Sequence, residues 1–203
     1  MAKQDRAEQT RQRLIEAAAG AFAEHGYAGT SLHQIVTSAG VTMGALTFHF
    51  SSKSALADAV QEAGTAATRE VIHNAAAAPG LQGVLDEVLA LAEALRSTQS
   101  IRAAARLTRE GHTVGHDWYD SWAPDLRAAL EQAWCVDRLD SGLTPLAATS
   151  LLSHVLLGVE ATAASPDSLR TVTGDGPEEG LTQALQALGT LIGPSGAMTS
   201  PED

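Results

Sequence analysis

Apolar residues return at helical spacing along nearly the whole chain of 203 residues, and the period-two alternation of half-buried strands is sustained nowhere. The pattern predicts an all-α protein of about nine helices. The first runs from about Asp5 to His25, with Leu14, Ala18, Ala21 and Phe22 on one stripe and Gly26 as its C′ residue. Leu32 to Ala39 reads as a short helix capped by Thr30 or Ser31 and closed by Gly40, which can take the positive φ of a tight turn. Thr42 then caps a third short helix.

Lys53 to Asn74 carries Leu56, Val60, Ala63, Ala67 and Val71 at helical spacing and breaks at Pro79 and Gly80, a candidate boundary between regions. Leu81 to Leu95 and Ile101 to Arg109 follow, and Asp117 to Trp134 is expected to kink or restart at Pro124. The last two helices, Thr144 to Ala164 and Pro177 to Ile192, are long and apolar. Residues 165–176 between them read as a surface loop, and residues 193–203 as a frayed tail.

The net charge of −11 argues against a chain that coats nucleic acid over its whole surface. Its distribution changes that reading: residues 1–60 hold five basic and five acidic side chains, and the remaining residues hold eight and nineteen. Phe22, Phe48 and Phe50 fall in the first part, whereas Trp118, Trp122 and Trp134 fall in the later part. Two regions with different partners are implied. No run approaches the ~18 consecutive apolar residues of a membrane helix, and residues 1–13 lack the apolar core of a signal peptide, so the cytoplasm is the expected compartment. Cys135, the only cysteine, excludes an intramolecular disulfide and a cysteine-based zinc site.

The stretch SLHQIVTSAGVTMGALTFHF joins a short amphipathic helix, a glycine turn, a capping hydroxyl and a second short helix, the grammar of a helix-turn-helix. From Thr10 to Val60 the chain resembles the N-terminal DNA-binding domain of the TetR family of transcriptional repressors. The resemblance rests on the Phe-Ala-Glu-His-Gly-Tyr end of the first helix, Thr30-Ser31, the Ala39-Gly40-Val41 turn, Phe48-His49-Phe50 and Ser52-Lys53. GALTFHFSSKSALA, RLTREG and the spacing of Tyr119 and Trp122 further resemble the γ-butyrolactone autoregulator receptors of actinomycetes.

The resemblance implies a three-helix DNA-binding domain over residues 1–52 and a larger helical domain for effector binding and dimerisation over 53–193, connected by the helix at 53–74. Residues 194–203 form a flexible tail. A homodimer would place two recognition helices on a pseudo-palindromic operator and let go when a butyrolactone-like effector binds, controlling antibiotic or secondary-metabolite genes. Thr30, Ser31, Thr42, Thr47, His49 and Lys53 are expected to donate to phosphates, with Arg11 and Arg13 reaching the flanking backbone. Gly44 and Ala45 let the helix sit deep in the groove, and the Ala45 methyl can touch thymine. Met43 and Thr47 stand where the family often has lysine and tyrosine, which predicts weaker, less salt-dependent binding. Leu46, Phe48 and Phe50 are assigned to the core and His49 to the outer face.

For the effector, Trp118 and Trp122 are the natural aromatic wall, with Leu91, Leu95, Leu107 and Val155 completing it. Leu151, Leu152, Val155, Leu156 and Val159, with Leu181, Leu185, Leu188 and Ile192, suit a four-helix interface between two copies, Gly158 allowing close approach. Two other classes are open to the sequence. A metal enzyme would rely on His112, His116 and Asp117, where the glutamate of HExxH is missing and glycines weaken any helix, so no metal, cofactor or catalytic residue is assigned. A DNA-independent interaction protein would fit the acidic balance, Met43 and Thr47.

Overall fold

The computed structural model describes residues 2–75, 78–112, 117–137, 143–163 and 177–192. Among them are nine α-helices and no strand. They are α1 Ala2–Gly29, α2 Leu32–Ala39, α3 Met43–His49, α4 Lys53–Ala75 and α5 Gly80–Ser97. The others are α6 Gln99–Arg109, α7 Ala123–Val136, α8 Pro145–Ala163 and α9 Pro177–Ile192, with a 3-10 turn at Trp118–Ser121 before α7. The all-α expectation holds. The helix expected from Asp117 indeed restarts: Pro124 sits in the first turn of α7, where a missing N–H leaves no helical bond unmade. The expected loop at 165–176 and tail at 193–203 lie outside the described residues.

Helix α1 is broken by Gly26 at φ 70° and ψ 179°, so the regular helix ends near the predicted place and one more turn follows. A Cβ on Gly26 would run into the carboxylate of Glu110, so both the dihedral and the space demand glycine.

The described chain gathers into two compact units, residues up to 70 with 93–122, and 71–92 with 123 onward. The core of the first is built from Leu14, Phe22, Ile35, Leu46, Leu56 and Leu107, all essentially inaccessible. This grouping does not follow the division expected after residue 52, because most of α4 packs into the first unit. Gly64 of α4 lies so close to Ser100 and Ala104 of α6 that no side chain would fit between them. The second unit buries Leu81, Val84, Val88, Leu126, Leu130, Leu152 and Leu185.

Helix α8 has the length and apolar composition of a membrane-crossing segment, although Ser150, Ser153, His154 and Glu160 interrupt its apolar run. Ala148, Leu152, Leu156 and Glu160 face inward. Leu146 and Leu151 are exposed, as are Ala147, His154, Gly158 and Ala161. The inward face of α9 is Leu185, with Leu181 and Leu188 half-buried, and small residues, Gly180, Ala184 and Ala187, are exposed.

Candidate nucleic-acid interface and buried donors

Two caps set the geometry of the α2–α3 pair. The Ser31 hydroxyl accepts the Gln34 N–H at 3.2 Å while the Gln34 side-chain oxygen accepts the Ser31 N–H at 2.8 Å, a reciprocal box that fixes the start of α2. Gly40, at φ 63°, ends α2 and turns the chain, and the Thr42 hydroxyl accepts the Ala45 N–H at 3.1 Å to start α3. Ile35, Val36, Leu46 and Phe50 anchor both helices in the core. With Leu46 inward, the turn of about 100° per residue leaves Met43, Gly44, Thr47 and Phe48 on the outward arc of α3.

Phe48 corrects the sequence reading. Expected in the core, it is 80% exposed. It lies about 200° around the helix from Leu46 and therefore points oppositely. Phe50 reaches the core because it is the C-cap residue in extended conformation, at φ −133°, where the chain leaves the helix. His49, expected to face outward, is half-buried, its ring set edge-on to Phe48 at 5.1 Å. Ala45 is also half-buried.

Two expected phosphate donors are engaged elsewhere. Thr30 is 3% exposed, and its hydroxyl lies 2.8 Å from the Gly26 carbonyl and 3.0 Å from that of Ala21, closing the broken end of α1. Lys53 donates to the Tyr27 carbonyl with its ammonium 4.3 Å from the Tyr27 ring centroid. Burial pushes the Lys53 pKa below its ordinary value, and the negative charge of Glu110 only partly opposes this. Arg11 is half-buried, its guanidinium 5.5 Å over Phe50 and 4.0 Å from Glu8, whereas Arg13 is exposed.

Ser31 and Thr42 remain exposed, and each accepts a backbone N–H while keeping its own proton to donate. Thr47 is exposed too, its hydroxyl donating to the Gly44 carbonyl at 3.1 Å. Ser52, absent from the sequence-based set, has the same arrangement at the start of α4: it is exposed and accepts the Ala55 N–H at 3.0 Å. A serine directly before a helix start was the signal that would have found it.

Behind this surface, the end of α1 is gripped by α6. Glu110 accepts the Tyr27 N–H at 2.7 Å and pairs with Arg106 at 2.9 Å, and Arg106 donates to the carbonyls of Ala23 and Glu24 at 3.1 and 2.9 Å. Burial alone would raise the Glu110 pKa, but the Tyr27 N–H and the charges of Arg106 and Arg109 outweigh it and hold the carboxyl below its usual range. The His112 ring lies on Tyr27 with centroids 3.4 Å apart.

The two tryptophans assigned to an effector differ. Trp118 is fully buried and bonded: its indole N–H donates to Thr68 at 2.9 Å and its backbone N–H to Thr108 at 3.1 Å. Trp122, 2% exposed with its ring 5.5 Å from Trp118, has an indole N–H with no hydrogen-bond partner among the described residues. The hydroxyl of Thr65, one turn before Thr68 on α4, is likewise buried and without a partner among the described residues. Thr65 was missed because a threonine on an apolar helix face gives no sign of whether its hydroxyl finds a carbonyl. Leu95 and Leu107 are fully buried in the same unit, while Leu91, buried, and Val155, half-buried, belong to the second. That unit also has an open cleft of ≈ 580 Å³ between α5 and α9, lined by Leu81, Leu85, Leu89, Leu185 and Gly189 among others, none of them in the expected set. Among the described residues no three His, Cys, Asp or Glu side chains group as metal ligands, and His116 lies outside those residues.

Comparison with known proteins bears on both features. Residues 14–60 match the model of the family described as bacterial regulatory proteins, tetR family. The A-factor receptor protein of Streptomyces griseus is 33% identical over 165 residues, which are 79% of this chain and 57% of that protein, so the chain spans little more than half the length of this relative. Among solved structures, a gamma-butyrolactone receptor (ArpA-like protein) is 25% identical with a TM-score of 0.67, covering 90% of this chain and 98% of that one. CprB from Streptomyces coelicolor in complex with its operator sequence is 26% identical with a TM-score of 0.72, covering 94% and 92%.

Proposed function

We propose, on the premise that residues 14–60 form the DNA-binding domain of the TetR family of bacterial regulatory proteins, that the chain is a homodimeric repressor released from operator DNA by a small effector. Its relatives and fold neighbours are transcription regulators, not enzymes. The observation that carries the reading is the exposed arc of α3, held by two caps and a buried Leu46 and free of acidic residues, which suits a helix entering a negatively charged groove. Ser31, Thr42 and Ser52, each fixed by the N–H bond it accepts, donate to phosphates. Arg13 reaches the flanking backbone with Arg11, and Thr47 and His49 lie beside the groove. Thr30 and Lys53 support this surface from behind.

The effector is a compact, largely apolar molecule carrying a hydrogen-bond acceptor, such as a lactone carbonyl. Trp122 and Thr65 supply what such an acceptor needs, a buried indole N–H and a buried hydroxyl that find no partner among the described residues. Thr108 links this region to α6, since it accepts the Trp118 N–H, and α6 grips α1 through Arg106 and Glu110. A shift of α6 on binding therefore reaches the DNA-binding helices, a coupling typically worth about 1 to 3 kcal/mol.

The second copy packs on the exposed apolar and small residues of α8 and α9, Leu151, Gly158, Ala184 and Ala187 among them. This assignment accounts for the apolar excess of α8 in a cytoplasmic protein. The regulated genes include ones for antibiotic production, by likeness to a solved structure, 28% identical, that concerns control of antibiotic production by bacterial hormones. A gel shift at stated salt, with DNA upstream of the protein's own gene and its neighbours, tests the reading. A retarded band that γ-butyrolactones of graded side-chain length dissolve is expected; no retardation at low salt would overturn it.

A further inference from the structure

Phe48 is the most exposed of the large apolar side chains among the described residues, at 80%, and Met43, on the same seven-residue helix, is also exposed, at 41%. Neither is accounted for by phosphate contact, because neither carries a donor. Their placement is specific. About 100° per residue puts Met43, Thr47, Gly44 and Phe48 in that order around an arc of about 140°, the two apolar side chains at its edges. Between them Gly44 has no side chain, and an added Cβ would meet nothing nearer than the Thr42 hydroxyl at 3.8 Å. The arc is therefore low at Gly44 and carries only the small Thr47 side chain beside it, while its two edges are apolar.

In a major groove the apolar feature offered by the bases is the 5-methyl group of thymine. We infer that Phe48 and Met43 select operator sequence by packing on thymine methyls. The inference rests on the operator-binding reading and deepens it. The rise of about 1.5 Å per residue separates the two side chains by about 7.5 Å along the helix. With bases spaced about 3.4 Å apart, they reach methyls about two base steps apart in each half-site. The ring of Phe48 is held for this task by its edge-on contact with His49 at 5.1 Å. Low charge on this helix is then compatible with specificity, since methyl contacts discriminate between bases without adding counterion release.

The test uses the full chain and a duplex it selects from a random-sequence library. Each thymine is then replaced singly by deoxyuridine, which removes the methyl and leaves the pairing edge intact. One or two positions per half-site should weaken binding about fourfold each, the value of burying one methyl-sized group. Phe48→Ala should lose a similar factor on the thymine duplex and nothing further when uracil occupies its position. Met43→Ala should do the same at the second position. Phe48→Ala removes an exposed side chain, and circular dichroism checks that the fold is kept. An enriched duplex in which every thymine tolerates uracil overturns this inference alone. So does a Phe48→Ala variant that keeps full uracil discrimination, or one whose loss of binding is matched by a change of oligomeric state. Failure to enrich any duplex overturns the operator-binding reading and this inference with it.

Discussion

Glu110 accepts the backbone N–H of Tyr27 at 2.7 Å, across 83 residues of sequence, immediately after the glycine at which α1 is broken. The contact substitutes a carboxylate for the carbonyl that an unbroken helix would have offered. It ties the last turn of α1 to α6 by a charge-assisted bond.

Glu110→Gln should therefore lower stability at neutral pH by about 1 kcal/mol, the partial exposure of the site limiting the loss. The sign of the pH dependence follows from the depressed carboxyl. Its contribution is complete above the unfolded value of about 4.3 and is lost as pH falls through the lower folded value. Urea unfolding of both proteins should show a gap at pH 7 that closes on acidification below about pH 4.

Met43 and Lys53 should respond oppositely to a change of charge. Met43→Lys places a cation on the exposed arc of α3, so the slope of log affinity against log salt should steepen by about 1.8 for a dimer, with tighter binding at low salt. Lys53→Met removes a cation already committed to Tyr27; the slope should change by less than about half a unit while the thermal midpoint falls. Salt titrations of operator binding and a thermal melt measure both.

Trp122→Phe removes an indole N–H that bonds to nothing among the described residues, so stability should stay level or rise slightly. Effector affinity should fall about tenfold with operator affinity unchanged, as expected for a lost hydrogen bond to a buried acceptor. Calorimetric titration with γ-butyrolactones, beside a chemical melt, reads the two effects separately. Unchanged effector affinity would remove Trp122 from the site.

Leu151→Glu sets a carboxylate on the outward face of α8. If this face meets a second copy, the dimer dissociation constant should rise more than about a hundredfold, because an unpaired charge is being buried. Analytical ultracentrifugation should then show a monomer at micromolar concentration, and operator binding should fail with it.

Much of this protein was legible in the sequence because its signals are local. Gly40 between two short apolar periods, Ser31 followed by Gln34, and Thr42 before Met43 each fix a turn or a cap through neighbours three or four residues away, and the edges of α2 fall where they predict. The order of helices followed from the same short-range pattern. Hydrophobic identity alone, however, placed Phe48 inside. A helix of seven residues has room for one inward row, which Leu46 occupies, and only the docked orientation decides which phenylalanine turns back to the core. Thr30 and Lys53 carried the right chemistry for phosphate, yet Tyr27, Gly26 and Ala21 claimed them once α1 had broken and folded against its neighbours. The same holds for the two tryptophans, identical in sequence terms: Thr68 lies within reach of one indole N–H, and among the described residues nothing lies within reach of the other. Periodicity and capping are properties of the chain near each residue, so the sequence states them. Whether a polar group finds its partner depends on where a helix breaks and on residues as far as 26 or 50 positions away, and that is decided only when the helices pack.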